Sequence, residues 1–167
     1  GEVSAELLAE LGVDFVALGH AEVRARRDTN SIVAEKVSQV TQNGLDVLLC
    51  VGEIAQASIE SAAAECIQQI ELAGVKSDNS VIAYEPVWAI GGQEPASIEH
   101  IIGTVALIRQ HFGETGPRVI YGGAAGPGLF EQIFPTVEGL FLGRMVHKPE
   151  KFRQIMNEAK SSLAGTP

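Results

Sequence analysis

The sequence predicts an α/β protein built on a parallel sheet, each short strand followed by a helix. Short apolar runs alternate with longer amphipathic ones through the 167 residues, which is the rhythm of consecutive βα units. The short runs are apolar throughout rather than at every second position, as expected of strands covered on both faces. Glycines and capping residues fall between the runs, where helices must stop and start.

The chain opens on "SAELLAELG", a helix with Ser4 as N-cap, Leu7, Leu8 and Leu11 on one face, and Gly12 as its stop. A helix placed directly after Gly1, with no Met before it, reads as a truncated start. The strand candidates are "VDFVALG", "LDVLLCV", "SVIAYEP", "PRVIYGG" and "EGLFLG", beginning at residues 13, 45, 80, 117 and 138. Helices are expected around 29–42, 55–73, 97–112, 127–134 and 149–163, with Gly44 and Gly74 as stops and Ser97 and Pro149 as starts. That makes five βα units.

With 46% hydrophobic and 20% charged residues, the chain can form one compact domain over 1–167 with a real core. No apolar run approaches the roughly 20 residues of a membrane helix, and no basic leader with a cleavage site opens the chain. A cytoplasmic protein is expected. The net charge of −9 repels nucleic acid and anionic membrane, so an anionic ligand would be held by local dipoles or a single cation. Cys50 and Cys66 lack metal-ligand spacing and are expected as buried thiols.

Periodicity leaves two architectures open. One is a doubly wound five-stranded sheet. The other is five units of a (β/α)₈ barrel, which at roughly 31 residues per unit occupy about 155 residues. Pattern alone favours the open sheet, because so short a chain cannot close a barrel. The motifs reverse that preference.

The first motif is "AYEPVWAIGG", residues 83–92, where a carboxylate ends a strand and a rigid Pro86-Val87-Trp88 hinge leads to a small-residue tip at Gly91 and Gly92. Glycines there let a loop fold over a ligand. A lone Glu-Pro would be a strand cap beside an ordinary turn. The second is "ALGHAEVR", residues 17–24, in which a strand ending in His20 runs into a helix that aims its backbone N–H groups at the imidazole. The third is "LLCVGE", which ends a strand in Glu53, and Trp88 is the chain's single tryptophan. "YGGAAGPG" and "GLFLGR" follow successive strands, and backbone N–H groups at such turns can hold a phosphate without a cation.

Together these segments resemble the triosephosphate isomerase family across most of the chain. The resemblance implies a partial (β/α)₈ barrel whose N-terminal third is absent. It implies an enzyme that interconverts an aldose phosphate and a ketose phosphate, most directly dihydroxyacetone phosphate and glyceraldehyde 3-phosphate, in the cytoplasm and as a homodimer when complete, with no metal or organic cofactor. By the same resemblance Glu85 is the base and His20 a neutral electrophile, a pairing for which that family is the standing example. Glu53 holds the lid tryptophan Trp88 beside Pro86; Glu22 would lie close to the catalytic lysine, with Arg24 supporting Glu22 by an ion pair. Phosphate falls to Gly91, Gly122, Gly123, Ala124, Gly143 and Arg144.

The sequence also departs from the family. Ala21 and Val23 interrupt the Gly-His-Ser-Glu-Arg-Arg pattern, Ala124 replaces a serine, and Arg144 stands where a second glycine is usual. "AIGGQEPAS" replaces a Thr-Gly-Lys lid tip, and no segment resembles the family's first strand, which supplies an Asn and a Lys. "GLFLGR" and the altered lid resemble a branch acting on four-carbon ketose phosphates such as erythrulose phosphate. Arg144 either compensates for the missing hydroxyl or points into solvent. Without the Asn and Lys the isolated chain is expected to be a poor catalyst, and an inactive sugar-phosphate binder or structural fragment is the reading from another class.

Overall fold

The computed structural model describes residues 3–75, 80–92 and 94–164; Gly1 and, in the stretch expected to form a lid, Gln93 lie outside them. Four strands form the sheet: β1 (Phe15–Leu18), β2 (Asp46–Val51), β3 (Ser80–Tyr84) and β4 (Arg118–Tyr121). They lie side by side in chain order, and each neighbouring pair is parallel. A doubly wound sheet reverses its strand order at a switch point; this one does not. Its order is that of consecutive barrel units, and the sheet stays open.

The helices begin where side chains can cap them. In α1 (Ala5–Glu10) the Ser4 hydroxyl accepts from the Leu7 N–H, and Gly12 follows at φ +74°. After the short α2 (Ala21–Arg26), α3 (Asn30–Gln42) is capped by Thr29, α4 (Ile59–Ala73) by Ser58 and α5 (Ile98–Phe112) by Ser97. Gly74 ends α4 in the left-handed region, which suits a residue without a Cβ. The short α6 (Leu129–Ile133) precedes α7 (Pro149–Ala164).

Three expectations need correction. The helix expected from residue 55 begins four residues later, because Ser58 supplies the cap and Ala55 to Ala57 do not. The segment expected as a fifth strand keeps only one bridge, Leu140 to Tyr121, before a 3₁₀ turn over Arg144–His147. Among the described residues it pairs on one side alone. β1 is not covered on both faces either: Phe15 and Ala17 are exposed, and among the described residues this strand pairs with β2 alone.

Side-chain alternation divides the packing in two. Val47, Leu49 and Val51, with Ile82, Tyr84, Val119 and Tyr121, face the helices and join the main core with Val37, Cys66, Ile101 and Ile108. Leu48, Cys50 and Ala83 form a small cluster on the opposite face, edged by Val81, Ile120 and Phe141. Both cysteines are buried thiols. Among the described residues no helix is long and apolar enough to cross a membrane.

Candidate active site

Parallel strands bring their C-terminal ends to one edge of the sheet, and alternation decides which way each terminal side chain faces. Continuing β3 past Val81 and Ala83 puts Glu85 on the open face. Continuing β2 past Leu49 and Val51 puts Glu53 on the helix side. Two carboxylates on neighbouring strand ends thus enter different surroundings.

Glu85 is 3% exposed. Its Oε1 lies 3.7 Å from His20 Nε2, while Oε2 is buried with no hydrogen-bond partner. Burial raises its pKa; His20, the Ala21 N–H, the Cys50 thiol and the Arg24 guanidinium pull the other way. Burial, with Glu85 beside it, in turn pushes the Cys50 thiol far up. A buried carboxylate with a raised pKa and an unsatisfied oxygen is a competent proton acceptor.

His20 is the N-cap of α2, and its Nδ1 accepts the Glu22 N–H at 3.3 Å. An accepting Nδ1 leaves the single ring proton on Nε2, the atom turned to Glu85. Gly19, at φ +74°, allows this entry, since a Cβ there would stand 2.9 Å from the Cys50 carbonyl oxygen. The Glu22 side chain is exposed. The ion pair expected between Arg24 and Glu22 does not form. Arg24 Nε donates instead to the Gly19 carbonyl at 2.7 Å and Nη1 to Asn30 Oδ1 at 2.7 Å, because the half-buried guanidinium turns to the fixed acceptors between β1 and α2 and at the start of α3.

Glu53 is fully buried. Its carboxylate accepts from Tyr84 Oη at 3.1 and 3.2 Å, Trp88 Nε1 at 2.8 Å and His100 Nε2 at 3.0 Å. Pro86 is buried ahead of the 3₁₀ turn Val87–Ala89 that carries Trp88, and Val87 N–H bonds the Glu53 carbonyl at 3.0 Å. Further along the chain, just before α5, the Ala96 N–H donates to Tyr121 Oη at 3.2 Å.

Of the glycine loops, Gly122 gives its N–H to the Tyr84 carbonyl at 2.8 Å, and a Cβ on it would come within 2.7 Å of Glu85 Cγ. A Cβ on Gly123 would collide with the Tyr121 hydroxyl, so the loop is pressed onto that ring. Ala124 follows, half-buried, and Gly143 is exposed. Gly91 sits exposed at the lid tip with φ +72°, and Arg144 Nη2 lies 3.8 Å from where its Cβ would be.

These placements can be set beside known proteins. The family profile described as Triosephosphate isomerase matches residues 1–159. The chain belongs to the triosephosphate isomerase family. It is 41% identical over 170 residues to the L-erythrulose-1-phosphate isomerase of Pectobacterium atrosepticum, covering 95% of this chain and 66% of that protein. It is 35% identical to the triosephosphate isomerase of Synechococcus sp. (strain JA-2-3B'a(2-13)), covering 94% and 65%, and 34% identical to that of Shewanella sediminis, covering 97% and 68%. The chain therefore spans about two thirds of the length of these family members.

Sequence reasoning missed Tyr84, His100 and Tyr121, which complete the lid contacts, and Cys50 beside Glu85. His100 had a signal: with Ile101, Thr104, Val105 and Ile108 it marks the buried stripe of α5.

Proposed function

We propose that this chain carries the base and the electrophile of an isomerase that interconverts an aldose phosphate and a ketose phosphate. The reading rests on one observation above the rest: a buried Glu85 carboxylate with a raised pKa, 3.7 Å from the Nε2 of a histidine whose Nδ1 is tied to a helix N-terminus. Glu85 takes a proton from the carbon beside the substrate carbonyl. His20 donates its Nε2–H to the substrate carbonyl oxygen and recovers a proton from the neighbouring hydroxyl, so the oxygen proton changes places across the enediolate and the ring ends neutral. Glu85 then returns the proton to the neighbouring carbon. Each such group contributes roughly 10²- to 10⁴-fold. The amides of Gly123, Ala124 and Gly143, with Gly91 and Arg144 at the lid tip, bind the phosphate, while Gly122 leaves room for Glu85.

The first substrate pair is dihydroxyacetone phosphate and glyceraldehyde 3-phosphate, in the cytoplasm and within a homodimer of the complete protein. A four-carbon ketose phosphate is the second reading. It is supported by the 41% identity to an L-erythrulose-1-phosphate isomerase and by Arg144 beside a lid tip that carries no lysine. The test is Glu85→Asp in a complete protein containing this sequence, assayed on both substrates. Withdrawing the carboxylate by about 1 Å should lower kcat at least 10²-fold and leave substrate binding nearly unchanged. Unchanged turnover would remove Glu85 from the reaction, and the ratio of kcat/KM for the two substrates decides between them.

A further inference from the structure

A fully buried carboxylate must be paired and hydrogen-bonded to be tolerated. Three side chains do this for Glu53, and they belong to different elements. Tyr84 stands on β3 and His100 on α5, both in the fixed framework, whereas Trp88 stands on the lid turn. A carboxylate only accepts, so the ring nitrogen 3.0 Å away, His100 Nε2, stands as its donor. The same imidazole meets the Trp88 indole edge to face, with ring centroids 5.6 Å apart at 75°. His100 itself is 8% exposed.

We propose that His100 is the positioning residue of the lid: by donating to Glu53 Oε1 it holds that carboxylate, already stripped of water, where the Trp88 indole N–H docks. Tyr84 straddles both oxygens of Glu53 at 3.1 and 3.2 Å and so leaves the direction of Oε1 to the other donors. Trp88 leaves with the lid. His100 is then the donor that keeps Oε1 aimed, and lid closure meets an acceptor that needs no reordering. The remaining titratable groups that sense Glu53 are acids: Glu65 and Cys66 on α4, with Tyr121 on β4. Among the described residues His100 is the one basic side chain at this carboxylate. The proposal rests on reading the turn that carries Trp88 as part of a lid over the site. Its readout needs no substrate, so it survives or fails separately from the isomerase assignment.

Trp88 is the chain's single tryptophan, so emission excited at the red edge of the absorption, where Tyr84 and Tyr121 do not absorb, reports the surroundings of this one indole. His100→Leu removes the donor, His100→Asn keeps an amide that falls short of Glu53, and His100→Gln places an N–H donor near the Nε2 position. The expected result for Leu and Asn is a red-shifted emission and an acrylamide quenching constant raised roughly twofold or more, with Gln close to the unsubstituted chain. Circular dichroism checks the fold of each. If the Leu variant does not fold, the comparison of Asn with Gln decides. Trp88 emission and quenching in His100→Asn that match the unsubstituted chain would overturn the proposal, and so would a Gln variant as perturbed as Asn.

Discussion

At the scale of single residues, the chemistry of Glu85 and the stability of the chain are opposed. Burial raises the Glu85 pKa, so folding favours its protonated form. The sign follows from linkage. A carboxyl raised on folding costs nothing below its unfolded pKa of about 4.3, and its ionisation destabilises the fold as pH climbs through the raised value. Glu85→Gln, which imitates the neutral carboxyl, should therefore melt higher than the parent at pH 8. The difference should vanish toward pH 4, each kcal/mol appearing as about 2–4 °C in a chain of this size. Thermal melts of both proteins across that range check it, and a gain that persists at pH 4 would assign the effect to packing. Arg144 gives the matching prediction for ligand binding. A charge-assisted contact contributes about 1.5–3 kcal/mol, so Arg144→Gly in a complete protein should weaken 2-phosphoglycolate binding roughly 10- to 100-fold. Inhibition constants within about twofold of each other would return Arg144 to the solvent. The placement of Glu85, His20 and Glu53 just past strand ends was legible because each stands inside a distinctive run of residues. His100 and Cys50 were not, because their importance comes from which helix and strand settle beside them.

At the scale of elements, the parity of the strands sorts the site. Glu85 and Glu53 follow the same kind of apolar strand, yet one step of alternation makes one face His20 and the other face Trp88. Helix starts at Ser4 and Ser97 and the stop at Gly74 were readable from local chemistry, since a cap needs only its own first turn. The fifth strand was not readable: residues 138–143 have the composition of a strand, but pairing depends on a neighbour that composition does not reveal. Gly122 tests how tightly β4 is fitted to β3. Its amide is committed to the Tyr84 carbonyl, and an added Cβ would lie 2.7 Å from Glu85 Cγ, so the Glu85 side chain must move. In a complete protein Gly122→Ala should lower kcat about 10²-fold with a smaller change in KM, and the overpacking should cost about 1–3 kcal/mol of stability. Steady-state kinetics with urea unfolding separates the two effects. Full activity would show that Glu85 has room the present geometry does not give it.

At the scale of the molecule, the two faces of the sheet contribute unequally. The helix-facing side carries a continuous core from Val33 to Val137, whereas the buried apolar cluster on the opposite side, among the described residues, is Leu48, Cys50 and Ala83. In a closed barrel that second face would be the packed interior. In an open sheet it is partly bare, which is why apolar strands alone suggested cover that Phe15 and Ala17 do not have. Stability of this chain should then come from the layer between sheet and helices. Two isoleucines on adjacent strands make the comparison chemically even: Ile82 on β3 points into the helix-side core at 0% exposure, and Ile120 on β4 borders the small cluster, half-buried. Ile82→Ala should cost about 2–5 kcal/mol, as truncation in a packed core does. Ile120→Ala should cost about 1 kcal/mol or less, because less of its surface leaves water on folding. Urea unfolding at an unchanged m-value measures both. Equal costs would mean that the open face is covered in solution, by another part of the parent protein or by a second copy of the chain, and the position of Phe15 would then mark where that cover lies.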